Sequence, residues 1–432
     1  MKIDEILSQL QAAQGDPEKL TLATLELVLA THPATLRDAF EAASIPHWFD
    51  AEILGKLLQI DQAGAEEALE QLRTLPMIES FAARNGWNVH EATRLALRKQ
   101  LHDDTPQRFH LLLSRAAECF EGNDPVSRIE TIYHRLLAVP EDAASELEQL
   151  WKAWDDAGRY ESLQALALAL HELIRSNHLT GLARARALVC LGWIRRGQLT
   201  LRNAEEFARE ALDIFRRLSN EPGEADVHSQ LGDILETAGN LPESLVEFGL
   251  NRQIRVRLVN QEPENAERQR DLSASHSNVG DVLQLQGQLT SALAEYQAGK
   301  RIMQQLTERD RENEYLQRDL SAAHSNVGQV LQLQGQLAAA LAEYESNSRI
   351  MTQLTEHDPE NYDWQQDLSR VWQWHHWPYQ FSISYSGVEA TSRVAFPHGK
   401  ACSCFSQLSF SVFLLSHHKV ALSSTHLRFS AR

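Results

Sequence analysis

The chain has 432 residues, room for two to four domains, and sets 59 Asp plus Glu against 41 Lys plus Arg, a formal charge of -18. That balance repels polyanions and speaks against broad attraction to nucleic acid or anionic membranes, and no run of about 18 apolar residues is present to span a bilayer. Four cysteines, at 119, 190, 402 and 404, are too few and too scattered for a disulfide framework; with an acidic start that lacks an export signal, they predict a reducing, cytoplasmic setting.

In chain order, residues 1–43 read as two helices separated by the Gly15-Asp16-Pro17 break, with Leu20, Leu22, Leu25, Leu27 and Val28 supplying apolar surface. From Ile45 the pattern predicts a helix (HWFDAEILGKLLQI), a second helix starting at Asp61, and two short strands, MIESFA and WNVHEA, flanking Arg84-Asn85-Gly86. Asn-Gly between apolar runs is a hairpin signal. Another helix follows near Thr93 to Leu101. Residues 106–180 hold four more amphipathic helices with short connections, read as degenerate hairpins that cap what comes next.

Internal repetition dominates the rest. Asp271 to Asp310 matches Asp319 to Asp358 at 30 of 40 positions, an offset of 48 residues. A third start, Asp367-Leu368-Ser369, falls 48 further on, and His228, Gly232 and Gly239 precede His276, Gly280 and Gly287 by the same interval. A fainter copy begins near Leu191-Gly192 and keeps Ala204 and Ala211. Within one unit, Leu289, Ala292, Leu293, Tyr296, Met303 and Leu306 share one helical face, and Leu272, Val279, Val282 and Leu283 do so in the preceding segment, with Gly287 as the break. Each unit is therefore a helical hairpin, and small residues at Gly280 and Ala292 allow its two helices to approach closely.

These residues resemble the tetratricopeptide repeat, with Gly280, Gly287, Ala292 and Tyr296 in one copy, Gly328, Gly335, Ala340 and Tyr344 in the next, and Ser244 replacing the usual Ala in the copy with Gly232, Gly239 and Phe248. The resemblance covers residues 181–369. The period of 48 instead of 34 is similar to that of longer, nephrocystin-like repeats and implies extra turns on both helices, each about 30 Å long. Two helices followed by a β-hairpin, at residues 45–101, resemble a winged helix. Six bases against eight acids there, and Asp61, Glu66, Glu67 and Glu70 on the second helix, oppose DNA binding. A winged helix ahead of helical repeats is also similar to the region behind the nucleotide-binding core of signal-transduction ATPases with numerous domains. There it is a regulatory packing unit, but this chain has no phosphate-binding loop.

The tetratricopeptide resemblance implies a concave groove built from the first helix of each pair, whose positions here are Asp233 and Glu236, then Ser277, Asn278, Asp281 and Gln284, then Ser325, Asn326, Gln329 and Gln332. It implies a protein or peptide ligand. The groove lysines and arginines that clamp a terminal carboxylate in some members are not found at these positions, so an amide-rich, mildly acidic groove suits backbone amides or a basic segment, set against an ordinarily solvated face. No catalytic set can be assembled. His90-Glu91 is followed by Arg94 where a zinc site needs a second His, His134 in an apolar helix reads as a packing residue, Trp151 and Trp154 as core, and His276 and His324 as products of duplication.

After Arg370 the helical period stops. Residues 371–432 hold one acid, Glu389, five bases and twelve serines, a join expected of a shifted reading frame or a fusion, and Cys402, Cys404, His375, His376, His417 and His418 fit no tetrahedral metal set. The resulting reading is an all-α, tetratricopeptide-like solenoid preceded by a small winged-helix-like α+β unit. Its parts are N-terminal helices (1–43), the winged-helix-like unit (44–105), irregular pairs (106–180), repeats (181–369) and an aberrant, disordered tail (370–432). The expected function is a non-catalytic interaction scaffold or sensor without cofactors, able to self-associate through an uncapped last repeat with apolar surface around Leu337 to Leu354; the alternative is a winged-helix transcriptional regulator.

Overall fold

The structure, a computed structural model, describes residues 15–30, 32–120, 122–361 and 364–368. The expected tail, with its cysteine and histidine pairs, lies outside the described residues. The first helices are α1 (Pro17–Leu29) and α2 (Ala34–Ala43). Pro33 supplies the extended backbone ahead of α2 and splits what the sequence reading treats as one helix, because the residue before a proline avoids the helical region. Residues 1–14 lie outside the described residues.

Helix α3 (Ala51–Leu58) starts four residues later than the apolar pattern implies. The Asp50 side chain accepts the Ile53 N–H at 2.8 Å and caps the helix there, while Phe49 exchanges backbone hydrogen bonds of 2.7 and 2.8 Å with Trp87. Helix α4 (Gln62–Leu72) is capped by Asp61 in the same way. Strands β1 (Ile78–Phe81) and β2 (Gly86–Val89) pair antiparallel with Ile78 opposite Val89 and Phe81 opposite Gly86. A side chain at Gly86 would sit 2.8 Å from the Phe49 carbonyl oxygen, so the close approach of residue 49 to the hairpin requires glycine. This is a winged-helix-like order of elements, and the exposed face of α4 carries Gln62, Glu66, Glu67 and Glu70.

Five helices follow: α5 (Glu91–Asp104), α6 (Pro106–Cys119), α7 (Pro125–Ala138), α8 (Pro140–Asp156) and α9 (Tyr160–Arg175). Proline opens three of the five at a position whose N–H has no intrahelical partner, which explains the short connections. One apolar cluster runs from Leu25 through Phe49, Leu113 and Leu147 to Ile194, so the α+β unit and the irregular pairs share a core.

The repeats are one fainter hairpin followed by three of regular geometry: α10 (Gly181–Gly197) with α11 (Leu201–Arg217), α12 (Glu221–Thr237) with α13 (Leu241–Gln261), α14 (Ala266–Leu285) with α15 (Leu289–Arg309), and α16 (Glu314–Leu333) with α17 (Leu337–His357). The last two first helices have 20 residues each and their partners 21, about 30 Å of helix, as the long period implies. A Cβ on Gly280 would meet the Tyr296 ring at 2.6 Å, and one on Gly328 the Tyr344 ring at 2.7 Å, so each aromatic lies against a bare stretch of its partner helix. Ala292 and Ala340 are buried beneath the same contact. The Ser244 departure has a plain cause: its buried hydroxyl donates to the Gly232 carbonyl at 2.8 Å.

The expected bare flank on α17 is only partly bare. Met351 and Leu354 are buried under Trp364, with Leu368 packed alongside, and the Asn361 side chain caps this new helix as Asn313 and Asn265 cap α16 and α14. Leu337 remains 55% exposed.

Candidate functional site: the inner face of the solenoid

First helices touch first helices across successive hairpins, α10 on α12, α12 on α14 and α14 on α16, which makes them the inner layer. The same 48-residue register places chemistry on both layers. His228, His276 and His324 each hold their Nδ1 2.6 Å from a carboxylate of the paired second helix, Glu247, Glu295 and Glu343. Arg252 on α13 contacts Glu295, and Lys300 on α15 reaches Glu343 at 2.6 Å. The recurring histidines therefore pin each hairpin closed while the cations join neighbouring hairpins, and both Glu295 and Glu343 are held below the usual carboxylate range because hydrogen bonds from these partners outweigh burial.

The groove positions named from the sequence divide into two sets. Asn278 is turned along the stack, its amide donating to Ser229 Oγ on the preceding first helix at 3.1 Å. The Tyr296 hydroxyl donates to Asp281 and to Gln284 Oε1 at 3.3 Å, and that of Tyr344 to Gln332 Oε1 at 2.9 Å, so these side chains belong partly to the packing of their own hairpin. Ser277 donates back to Ser273 at 3.4 Å. Ser325, Asn326 and Gln329 are half-buried on α16.

Asp233 and Glu236 are different. Asp233 is pushed up to about 6 by burial, which Arg196 only partly offsets at 3.9 Å and which Glu236 and Asp281 reinforce; burial and Asp281 raise Glu236 as well. Asp233 and Glu236 thus share the charge of one arginine on the inner face, while Asp281, raised by burial although it accepts the Tyr296 hydroxyl, repels both when ionised.

Toward the N-terminal side the inner face sinks into a recess of about 160 Å³ walled by α8, α10, α12, α13 and α14. The sequence reading missed it, since α8 lies before the repeats and α13 is a second helix, outside the aligned first-helix positions. Trp151 and Trp193 stack 6.0 Å apart at one side, with Val189 and Ala274 adding apolar surface. Cations do line the recess, but away from the aligned first-helix positions: Lys152, Arg186 and Arg255, on α8, α10 and α13. Each is matched by an acid. Lys152 Nζ donates to Glu148 Oε1 at 2.6 Å; Arg186 Nη1 lies 3.2 Å from Glu148 and 2.9 Å from Asp226; Arg255 contacts Asp226 and reaches Asp271 at 2.7 Å. Trp151 and Trp154 are buried, as anticipated, and Trp151 also walls this recess.

A second polar cluster is enclosed between the α+β unit and the irregular pairs. His47 Nδ1 lies 2.8 Å from Glu130 and its Nε2 3.5 Å from Glu172; Arg94 and the Tyr133 hydroxyl both contact Glu172; Arg98 contacts the Ile45 carbonyl oxygen and lies 5.0 Å from the Tyr133 ring. His134 sits 3.3 Å from Glu130, and burial pushes it down to about 4, in keeping with a packing residue. The free thiols Cys119 and Cys190 are buried, and burial raises both, Cys119 to about 11. Among the described residues no group of three or more His, Cys, Asp or Glu is placed to hold a metal ion, and no helix is long and apolar enough to cross a membrane.

No protein-family profile and no curated protein matches the chain. Among solved structures it is similar to BtubC (BKLC) from P. vanneervenii, at 15% identity and a TM-score of 0.41 over 70% of this chain and all of that one. It is similar to a signal transduction ATPase with numerous domains with a tetratricopeptide repeat sensor from Pyrococcus horikoshii, at 12% identity and 0.34 over 89% and 71% of the two chains. A third is the Rap protein complexed with Competence and Sporulation Factor, at 11% identity and 0.41 over 81% and 87%. What identifies the architecture is the packing itself: glycine under aromatic, buried alanine and stacked hairpins make this a tetratricopeptide-like solenoid.

Proposed function

We propose that the protein is a non-catalytic, cytoplasmic interaction scaffold that binds an extended segment of a partner protein along the inner face of its solenoid. The observation that carries this is the trio Asp233, Glu236 and Asp281, for which Arg196, 3.9 Å from Asp233, is the one ion-paired cation among the described residues. Three carboxylates held close in partial burial raise one another's energy, and a partner's Lys or Arg placed among them relieves that repulsion. Asn278, Gln284, Ser325, Asn326, Gln329 and Gln332 then offer side-chain donors and acceptors to the backbone of the same segment.

The test is selection of peptides from a random displayed library on the full chain, followed by binding of the selected peptides to the Asp233→Asn/Glu236→Gln/Asp281→Asn variant. Enrichment of Lys or Arg, weaker binding at high salt and a loss of about tenfold or more in the variant are expected. Selected peptides without basic residues, or affinity unchanged in the variant, would refute the reading.

A further inference from the structure

The six charged side chains around the recess form one alternating series, Lys152, Glu148, Arg186, Asp226, Arg255, Asp271. Its inner members are satisfied twice over: Arg186 and Arg255 each bridge two acids, and Glu148 and Asp226 each hold two cations. They are also the less accessible ones, with side-chain exposures of 17% and 11% for the two arginines and 27% and 30% for the two acids. The two ends differ on both counts. Lys152 has one ion-paired acid and is 56% exposed; Asp271 has one ion-paired cation and is 39% exposed. Both ends line the recess, and the Lys152 charge acts weakly on Asp271, after burial and the nearer Arg255, Asp226 and Glu267.

A cavity of about 160 Å³ is too small for a drug-sized molecule, which needs some 300 Å³ or more, and comparable to the roughly 150 Å³ that holds a benzene ring. Besides an available ammonium and an available carboxylate, the recess has an apolar lining of Trp151, Trp193, Val189 and Ala274. We propose that this recess is a binding site for a small zwitterion of the free amino-acid class, its ammonium on Asp271, its carboxylate on Lys152 and its apolar side chain against the two tryptophans. A simple cation would meet Lys152 and an anion would meet Asp271, so neither alone suits the pair. A molecule carrying both charges a few bonds apart completes the series into a closed ring without unpairing any inner member. This site stands apart from the acidic trio, so its failure leaves the partner-protein reading untouched and the reverse holds as well.

The experiment is titration of the full chain with individual proteinogenic amino acids, read by tryptophan fluorescence and by calorimetry, since both indoles line the cavity. At least one apolar or aromatic amino acid should bind at millimolar concentration or below. Its N-acetyl and its carboxamide forms should each bind about tenfold or more weakly. Asp271→Asn and Lys152→Met, which alter half-exposed side chains, should give the same loss while keeping the helical circular dichroism of the parent. Should a variant unfold, the two blocked ligands decide the matter on the unaltered protein. Absence of fluorescence change and heat with every amino acid, or equal binding of the free and blocked forms, overturns the proposal.

Discussion

Replacing Glu172 by leucine removes the carboxylate that three groups share inside the N-terminal half. Arg94, only 4% exposed, loses its ion-pair partner, the Tyr133 hydroxyl loses its acceptor and His47 keeps only Glu130. Burial by itself would raise Glu172, yet His47 and Arg94 outweigh it and hold the carboxyl far below the usual range, so the ionised form is built into the fold. Leaving a buried guanidinium without its partner costs about 3–5 kcal/mol, whereas replacing both members of a buried pair by apolar side chains is often close to neutral. Glu172→Leu should therefore lose about 3–5 kcal/mol and Arg94→Met somewhat less, because His47 still faces Glu172. The Arg94→Met/Glu172→Leu double variant should recover to within about 1–2 kcal/mol of the parent, a coupling energy of at least about 2 kcal/mol. Urea denaturation followed by circular dichroism and tryptophan emission measures each corner of the cycle. A cost below about 1 kcal/mol for Glu172→Leu, or a double variant as unstable as the sum of the singles, would refute this account of the network.

The remaining expectations use other parts of the structure. Gly280→Val forces a side chain into the buried Tyr296 ring at 2.6 Å and should cost about 1–3 kcal/mol, while Gly249→Ala, with nothing within 4 Å, should gain up to about 1 kcal/mol from helix propensity; thermal unfolding of the pair separates a packing requirement from a backbone effect. Asp233 is held at about 6, above its unfolded value, so its ionisation opposes folding at neutral pH and ceases to do so as the carboxyl becomes protonated below that value. Asp233→Asn should accordingly stabilise the protein at pH 8, with the gain shrinking toward pH 4.5, and a gain that grows on acidification would contradict the assignment. His47 is raised despite burial, chiefly by the Glu130 carboxylate, so its contribution is fully present below about pH 6.5 and is lost as pH rises through its higher folded value; the stability difference between the parent and His47→Gln should fall from pH 6 to pH 8.5 in parallel melts.

Much of the helical architecture could be read in advance because its causes are local or periodic. Gly280 and Ala292 recur at 48-residue intervals, and small residues at such positions imply a close helix crossing; that an aromatic ring fills the space over the glycine is visible only in the packing. Asn85-Gly86 marked the β-hairpin through turn chemistry. The failures came where a neighbour distant in sequence overrides a local pattern: the start of α3 is moved to Ala51 by the Asp50 cap and the Phe49 pairing with Trp87, and the helix read through residue 33 is broken by its proline.

The candidate sites divide along the same line. Asp233 and Asp281 stand 48 residues apart, so alignment alone puts them on one face, but only packing shows that burial raises both and that Arg196 offsets it only partly, at Asp233. The recess draws Lys152, Arg186, Arg255 and Asp271 from four helices, and the enclosed cluster draws His47, Arg94, Glu130 and Glu172 from segments up to 125 residues apart. Residue type and spacing encode the helices and their stacking, because each hairpin must hide one apolar flank against the next; which charges meet is set by the angle at which unlike hairpins pack, and no periodicity in the chain records that angle.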